Sequence, residues 1–167
     1  ISWALTLDEA ISDILEISKM PGRKILTRGN HDYWWESPAK IRRVLPDNMQ
    51  IIQKDSVDTG DFLVCGTRGW ILPGDDKFGD GDDKIFNREI IRLELSLSHA
   101  ASHSDKDIIV MIHYPPFNEK NPTNQLLDLM KKYNVKICVY GHLHSDSLKN
   151  AKEGIYDGIQ FFVVSCD

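Results

Sequence analysis

The amino-acid sequence predicts an α/β fold with a mixed sheet, and two observations support this class. Short runs of β-branched residues alternate with helical stretches along the 167-residue chain, as they do where parallel strands are joined by helices. Three of these runs, 24–27, 107–112 and 135–140, each lead directly into a loop that contains histidine. Because parallel strands end at one edge of a sheet, where α/β folds bind ligands, four of the six histidines are expected to converge there.

Length and composition describe an ordinary globular domain. Hydrophobic residues make up 41% of the chain and charged residues 27%, which is enough for one domain with a sizeable core. The net charge of −5 argues against a general binder of nucleic acid or anionic membrane, and no apolar run is long enough to cross a bilayer. Cys65, Cys138 and Cys166 each lie beside an apolar run and are expected to be reduced and buried, which favours a cytoplasmic protein.

The first half of the chain begins with a helix. Thr6 and Glu9 have the spacing of a capping box, and an apolar stripe follows them until Pro21-Gly22 ends the helix. Ser37-Pro38 is a typical start for a second helix, which the pattern continues to Leu45. The strands predicted in this half are 24–27, 49–53 and 62–65, and the last two are expected to pair through a turn at 58–61.

The second half repeats an order of strand, loop and helix after a glycine-flanked loop at 66–70. Residues 73–83 are acidic and glycine-rich but lack the register of an EF-hand, so a solvated loop is favoured over a calcium site. His99 and His103 lie four apart near the end of the longest helix, and without a third ligand they are interpreted as a polar helix end. The elements predicted here are helix 84–103, strand 107–112, helix 123–133, strand 135–140 and strand 160–164.

The three histidine-containing loops carry the candidate site residues, which are Asn30, His31, Asp32, His113, His142 and His144. Together, imidazole, amide and carboxylate groups suit a divalent transition metal better than calcium or magnesium alone. In extended backbone alternate side chains point the same way, so His142 and His144 are both expected to face the site and to reach two metals. A neighbouring carboxylate orients an imidazole and raises its basicity. Asp32 is therefore expected to orient His31, which would act as a general acid near neutral pH.

Each candidate also has a purely structural interpretation. A single histidine after a strand, such as His113, is more often structural, and Gly29-Asn30 alone is compatible with a turn. Trp34 and Trp35 are more often packing residues than substrate contacts, and Arg68 is equally compatible with an ordinary surface position. The combination of three loops, each rich in possible ligands, favours a metal site over these separate interpretations.

The motifs resemble the last three of five motifs of the calcineurin-like metallophosphoesterase superfamily, and the flanking sequence is similar to a bacterial branch of predicted phosphohydrolases. The matching stretches are Gly29-Asn30-His31-Asp32, His113 and Gly141-His142-Leu143-His144. The resemblance implies a mixed β-sandwich flanked by helices. It also implies two divalent metal ions (Mn, Fe, Zn or Ni), with Asn30, His113 and His142 on one ion and His144 on the other.

For catalysis, the resemblance implies a hydroxide that bridges the metals and attacks phosphorus in line. His31 is then expected to protonate the leaving oxygen while Asp32 holds it. The family's first two motifs, Asp-x-His and Gly-Asp-x-x-Asp, are absent, and Trp3 stands where the second would end. The chain is therefore expected to be one partial domain over 1–167 that is truncated at its N-terminus, lacks its first strands and is inactive by itself, whereas its parent is a hydrolase.

Two other functions stay open, a catalytically inactive protein-binding scaffold and a metal-binding regulatory domain, although retention of His31 and Asp32 favours the enzyme. Arg68, in a glycine-flanked loop after an apolar strand, is expected to bind phosphate. Trp34 and Trp35 are expected to form an apolar wall for the leaving group. The favoured partner is a small phosphorylated substrate, either a phosphodiester or a nucleotide-like ester, rather than a phosphoprotein. The choice between monoester and diester, the metal and the oligomeric state stay open.

Overall fold

The computed structural model describes residues 1–166, except for the side chain of Asn150, and it confirms an α/β fold with a mixed sheet flanked by helices. The helices are α1 (Leu7–Ser18), α2 (Pro38–Val44), α3 (Asp82–Ala101) and α4 (Gln125–Lys132), and a 3₁₀ helix covers Ser145–Asn150. The strands are β1 (Lys24–Leu26), β2 (Met49–Ile51), β3 (Val57–Asp58), β4 (Leu63–Thr67), β5 (Ile108–Ile112), β6 (Ile137–Tyr140), β7 (Gly154–Tyr156) and β8 (Ile159–Val163).

A six-stranded sheet forms the centre of the fold. Its order is β3-β4-β5-β6-β8-β7, in which the four inner strands run parallel and the two outer strands run antiparallel to their neighbours. Leu93 and Leu97 of α3 and Met130 of α4 share one core with Val110 and Cys138 of the inner strands, and all five are fully buried. This packing holds β5 and β6 side by side, so the loops that follow them leave the same edge of the sheet.

The strand predicted at 24–27 does not join this sheet. β1 pairs in parallel with β2 in a separate two-stranded sheet, where Lys24 lies opposite Met49 and Leu26 lies opposite Ile51. The prediction that all three histidine loops follow strands of one sheet is therefore wrong. A short apolar run indicates that a segment is extended and half-buried, but it does not indicate which strand pairs with it, because pairing depends on distant parts of the chain.

The predicted pairing of strands 49–53 and 62–65 is also wrong. β2 pairs with β1, and β4 pairs with β3, a strand of only two residues that is too short to show a periodic pattern. The turn expected at 58–61 does form, with the Thr59 N–H donating to the Phe62 carbonyl at 3.0 Å, but it joins β3 to β4.

Helix ends follow local signals where side-chain caps form. Thr6 Oγ1 accepts the Glu9 N–H at 3.4 Å, and the Glu9 carboxylate accepts the Thr6 N–H at 3.2 Å, which confirms the capping box. Ser37 precedes α2 without a side-chain capping bond, and α4 is capped by Asn124 rather than starting at Thr123. Within residues 1–166 no helix combines the length and the apolar character needed to cross a membrane.

The cysteines divide into two environments. Cys65 and Cys138 are fully buried in the main core, as expected, and none of the three cysteines forms a disulfide within the described chain. Cys166 is exposed, so the prediction of burial is wrong for this residue. It follows the last residue of β8 at position 163 and no longer belongs to the sheet ladder.

Candidate metal centre

Asn30, His113 and His142 meet at the carboxyl ends of β5 and β6. The Nε2 atom of His113 lies 2.7 Å from Oδ1 of Asn30 and 3.1 Å from Nδ1 of His142. All three side chains are partly buried, so their donor atoms are shielded from bulk water without being enclosed. The structure therefore brings together three of the four metal ligands named from the sequence.

Strand register explains why the two histidines meet. Ile112, the last residue of β5, lies opposite Tyr140, the last residue of β6, and the Gly141 N–H donates to the His113 carbonyl at 3.2 Å. The two loops thus leave neighbouring strands at the same level. The N–H of His113 donates in turn to the Arg68 carbonyl at 3.1 Å, which ties the loop after β5 to the loop after β4.

Asn30 reaches the site from the smaller sheet, past a close contact at Gly29. A Cβ atom at Gly29 would lie 3.1 Å from Oδ2 of Asp32 and 3.4 Å from the His113 ring, so a larger residue would crowd both. The Gly29 N–H donates to Oδ2 of Asp32 at 2.6 Å and closes the loop tightly. The glycine of this motif is therefore explained by the space that the neighbouring site residues occupy.

Both buried imidazoles favour their neutral form. The pKa of His113 is lowered to about 4, mainly by burial and secondly by the charge of the neighbouring His142. The pKa of His142 is also lowered to about 4, mainly by burial and to a smaller extent by the charges of His144, His31 and Lys77. A neutral imidazole keeps a nitrogen lone pair that can bind a metal, whereas a protonated one has none.

The spacing and chemistry of the three donors fit one end of a metal site. Two atoms bound to one ion at about 2.1 Å lie about 3.0–3.4 Å apart, close to the spacing seen between the donors. Two imidazole nitrogens and an amide oxygen suit a borderline transition metal. Within residues 1–166 no group of three or more His, Cys, Asp or Glu side chains is arranged to hold a metal, so the donor set contains no carboxylate.

His142 departs from the extended backbone that the sequence argument assumed. Its φ of +71° lies in the left-handed region, so the extended backbone assumed for residues 142–144 is wrong at His142. The expectation that both histidines face the site stays a prediction. His144 is exposed and begins the 3₁₀ helix, where its N–H donates to Ser147 Oγ at 2.8 Å. Its charge is near enough to lower the pKa of His142, and its role as a ligand stays a prediction.

His31 and Asp32 separate in the structure. His31 is exposed, and its ring lies 4.3 Å from the Trp3 ring. Asp32 is buried and accepts hydrogen bonds from the Gly29 N–H, from Trp34 Nε1–H at 3.0 Å and from the Ile1 ammonium at 2.8 Å. Burial opposes its ionisation, but these donors outweigh burial and hold the pKa of Asp32 below its usual range. Asp32 therefore holds the loop backbone instead of making the predicted contact with His31.

Arg68 points into the protein rather than toward a substrate, which corrects its predicted role. Its side chain is 9% exposed, its guanidinium lies 3.5 Å from Glu89 Oε1, and its Cζ lies 4.3 Å over the Trp70 ring. Arg92 Nη1 approaches the same Glu89 oxygen at 2.8 Å, and Thr67 Oγ1 donates to the other oxygen at 2.6 Å. A buried carboxylate thus gathers cations and a hydroxyl from the loop after β4 and from α3.

Glu89 is the residue that sequence reasoning missed. It is fully buried and shares one face of α3 with Phe86, Leu93 and Ser96, which are buried as well. The spacing of three and four residues places it on the apolar stripe of the helix. An acidic residue on such a stripe is the signal that points to a buried ion pair, because a buried charge needs a partner.

Trp34 is a core residue, so its predicted role as a wall for substrate is wrong. It is 1% exposed and packs with Ile41 and Met49 in the core between the smaller sheet, α1 and α2. Trp35 is 6% exposed in the same core, and its Nε1–H donates to Gln53 at 3.0 Å. The indole nitrogen of Trp34 serves the site indirectly, because it helps to hold Asp32.

His99 and His103 behave as a polar helix end. The Ser56 N–H donates to Nδ1 of His99 at 3.1 Å, and the two imidazole rings stack at 4.2 Å. Nδ1 of His103 lies 2.6 Å from the His99 carbonyl at the end of α3. One nitrogen of each ring is therefore committed to the protein, in agreement with the structural interpretation of this pair.

Amide and imidazole donors at the strand ends of an α/β sheet are features of metal-dependent enzymes. The chain belongs to the calcineurin-like phosphoesterase family, because the model of that family matches residues 3–146. Membership makes the protein a metal-dependent phosphoesterase in general terms and agrees with the mixed sheet flanked by helices. Comparisons with curated proteins and with solved structures found no match to the chain.

Proposed function

We propose that Asn30, His113 and His142 bind one divalent metal ion and His144 a second, and that the two ions hydrolyse a phosphate ester in a protein that joins this chain to the two family motifs it lacks. The position of His113 Nε2, which lies 2.7 Å from Asn30 Oδ1 and 3.1 Å from His142 Nδ1, carries this proposal. Family membership supports the reaction class. The neutral state favoured by burial supports the assignment of His113 and His142 as ligands rather than as proton donors.

The ions, when bound, would supply Lewis-acid stabilisation of the phosphoryl charge and activate a water molecule for attack. Asn30 and the two buried histidines hold their donor atoms in place through the strand register and the tight loop at Gly29. His31 is proposed to donate a proton to the leaving oxygen. Its exposure supports this role, because an exposed imidazole regains its proton from solvent after each turnover.

We further propose that the 167-residue chain binds at most one ion weakly and has no appreciable turnover. The lack of a carboxylate in the donor set of the described residues supports this, since a second ion needs a bridging anionic ligand. Calorimetric titration with Mn²⁺ tests it. We expect a single weak site that His113→Ala abolishes and that His99→Ala, a change in a histidine away from the site, leaves intact. Two tight sites per chain would contradict the ligand assignment.

Activity is tested in an extended chain, in which the two family motifs absent from residues 1–167 are supplied ahead of Ile1. We expect Mn²⁺-dependent hydrolysis of p-nitrophenyl phosphate or of bis-p-nitrophenyl phosphate, with loss of turnover on addition of EDTA. His142→Ala should abolish turnover, and the control His103→Ala should not. Tight metal binding without turnover would instead favour a regulatory domain, and absence of both would favour a scaffold.

A further inference from the structure

A cavity of about 600 Å³ opens beside His142. Three segments enclose it: the loop from Trp70 to Lys77, the loop from Tyr114 to Lys120, and the stretch from Tyr140 to Ala151. Its volume lies within the range of about 300–1,000 Å³ that is usual for small-molecule sites. Because His142 forms part of its wall, any ester bound with its phosphate at the metal centre has this space available for its alcohol part.

Among the aromatic residues of the cavity lining, Trp70 is half-buried, and the buried Tyr114 connects it to the metal centre. The ring of Tyr114 lies 4.0 Å from the ring of His142 and 5.2 Å from the ring of Trp70. The Trp70 indole is held by a hydrogen bond from Nε1–H to Asp82 at 2.8 Å and by the Arg68 guanidinium, whose Cζ lies 4.3 Å over the ring. A surface that is fixed in this way can stack a planar ring with little loss of side-chain freedom.

Two lysines line the cavity, and they differ in whether they form an ion pair. Lys120 forms an ion pair with Asp76 at 2.6 Å, whereas no side-chain ion pair of Lys77 occurs among the residues the structure describes. Lys77 and His142 line the same cavity, and the charge of Lys77 contributes to the lowered pKa of His142. Of the three carboxylates in the lining, Asp76 pairs with Lys120, Glu119 pairs with Lys152 at 3.2 Å, and Asp75 accepts the backbone N–H of Lys77 at 3.0 Å. An anionic group bound in the cavity would therefore meet the ammonium of Lys77 rather than that of the paired Lys120.

We propose that this cavity binds the leaving group of the substrate, that this group contains a planar aromatic ring stacked on Trp70, and that Lys77 binds the phosphate. The inference rests on the proposed function and specifies its substrate as a phosphate ester of a nucleoside or of a simple aryl alcohol. A phosphoserine or phosphothreonine ester offers no planar ring to this surface. The cavity thereby takes the place of the wall predicted at Trp34 and Trp35.

Equilibrium binding to the 167-residue chain, measured by calorimetry without metal, tests the proposal apart from turnover. The probes are adenosine 5′-monophosphate, phenyl phosphate, adenosine, glycerol 2-phosphate, phosphoserine and inorganic phosphate. We expect the two aromatic esters to bind about tenfold or more tightly than glycerol 2-phosphate and phosphoserine, since a stacked ring contributes roughly this factor. Tighter binding of adenosine 5′-monophosphate would indicate a nucleoside, and tighter binding of phenyl phosphate would indicate an aryl group.

Matched lysine variants separate the phosphate contact from the cavity as a whole. Lys77→Met should weaken both aromatic esters about tenfold and leave adenosine unchanged, because only the esters carry the charge. Lys120→Met, a change in a lysine already neutralised by Asp76, should leave the binding of all probes unchanged. Trp70→Leu should weaken adenosine 5′-monophosphate and adenosine together.

Equal affinity for aromatic and non-aromatic esters, or equal effects of the two lysine variants, would overturn the inference. If the extended chain hydrolyses esters in a metal-dependent way but shows no preference for aromatic esters, the proposed phosphoesterase function stands and the inference about the aromatic leaving group is wrong. If the protein binds aromatic esters through Lys77 but never hydrolyses them, the inference about the cavity stands and the proposed phosphoesterase function is wrong.

Discussion

At the scale of single residues, His31 differs from the other site histidines because it is exposed, whereas His113 and His142 are partly buried. In the extended enzyme His31→Ala should lower turnover by roughly 10²–10⁴-fold, the range associated with loss of general acid catalysis. Metal content should stay near that of the unchanged protein, because the proposed metal ligands are Asn30, His113, His142 and His144. Steady-state kinetics and elemental analysis on the same preparation measure both quantities.

His103→Ala is the control for this change, since His103 is an exposed histidine on a distant helix end. It should alter neither turnover nor metal content. Loss of bound metal in His31→Ala would show that His31 is a ligand rather than a proton donor. Unchanged turnover would show that a group other than His31 donates the proton to the leaving oxygen.

Glu89 is expected to contribute more to stability than any surface ion pair. Glu89→Gln keeps the shape of the side chain but leaves Arg68 and Arg92 without their shared counter-ion in the interior. Breaking a buried pair in this way costs about 3 kcal/mol, so the free energy of unfolding should fall by about that amount. Urea denaturation followed by circular dichroism measures the change.

Arg88→Gln is the matched control for Glu89→Gln. Arg88 lies 3.8 Å from the same carboxylate, but its side chain is 53% exposed, and exposed pairs contribute little. We expect its effect on unfolding to stay below about 0.5 kcal/mol. Equal effects of the two substitutions would mean that the buried carboxylate is not the centre of this cluster.

At the scale of secondary-structure elements, the pairing of β4 with β5 depends on Gly66. A Cβ atom at this position would overlap the Met111 carbonyl oxygen, which is backbone and has little room to move. Gly66→Ala should therefore destabilise the protein by about 2 kcal/mol, the usual cost of overpacking. Because β5 leads into His113, the same change should also weaken Mn²⁺ binding.

Gly79→Ala provides the comparison for Gly66→Ala. A Cβ atom at Gly79 would meet no atom within 4 Å, and Gly79 lies outside the positive-φ region. Its free energy of unfolding, measured by urea denaturation, should match that of the unchanged protein within about 0.5 kcal/mol. A destabilisation at Gly66 no larger than that at Gly79 would show that the two strands can separate without cost.

At the scale of the whole molecule, thiol reactivity should report global unfolding. Burial raises the pKa of Cys65 to about 12 and raises the pKa of Cys138 as well, so at pH 8 both remain protonated and unreactive in the folded protein. Cys166 is exposed. Mass spectrometry after iodoacetamide treatment should therefore find one label on the folded chain and three on the denatured chain. Rapid native labelling of Cys65 or Cys138 would contradict the described core.

The α/β class, the candidate residues Asn30, His113 and His142 and the order of the main elements were accessible from the sequence, because each depends on short-range information. The capping box of Thr6 and Glu9 is a signal contained in four residues, and the apolar run 107–112 ends at His113 whatever its partner strand is. Residue chemistry alone also limits the metal, since imidazole and amide donors exclude sites built for calcium.

Strand partners, burial and space were decided only by the tertiary structure. Neither the separate sheet of β1 and β2 nor the burial of Trp34 and Arg68 has a local signal, since each depends on residues far along the chain. The same holds for the cavity beside His142, which three distant segments enclose. A sequence specifies which groups a chain carries, but long-range packing determines which of them turn inward and which remain available to a ligand.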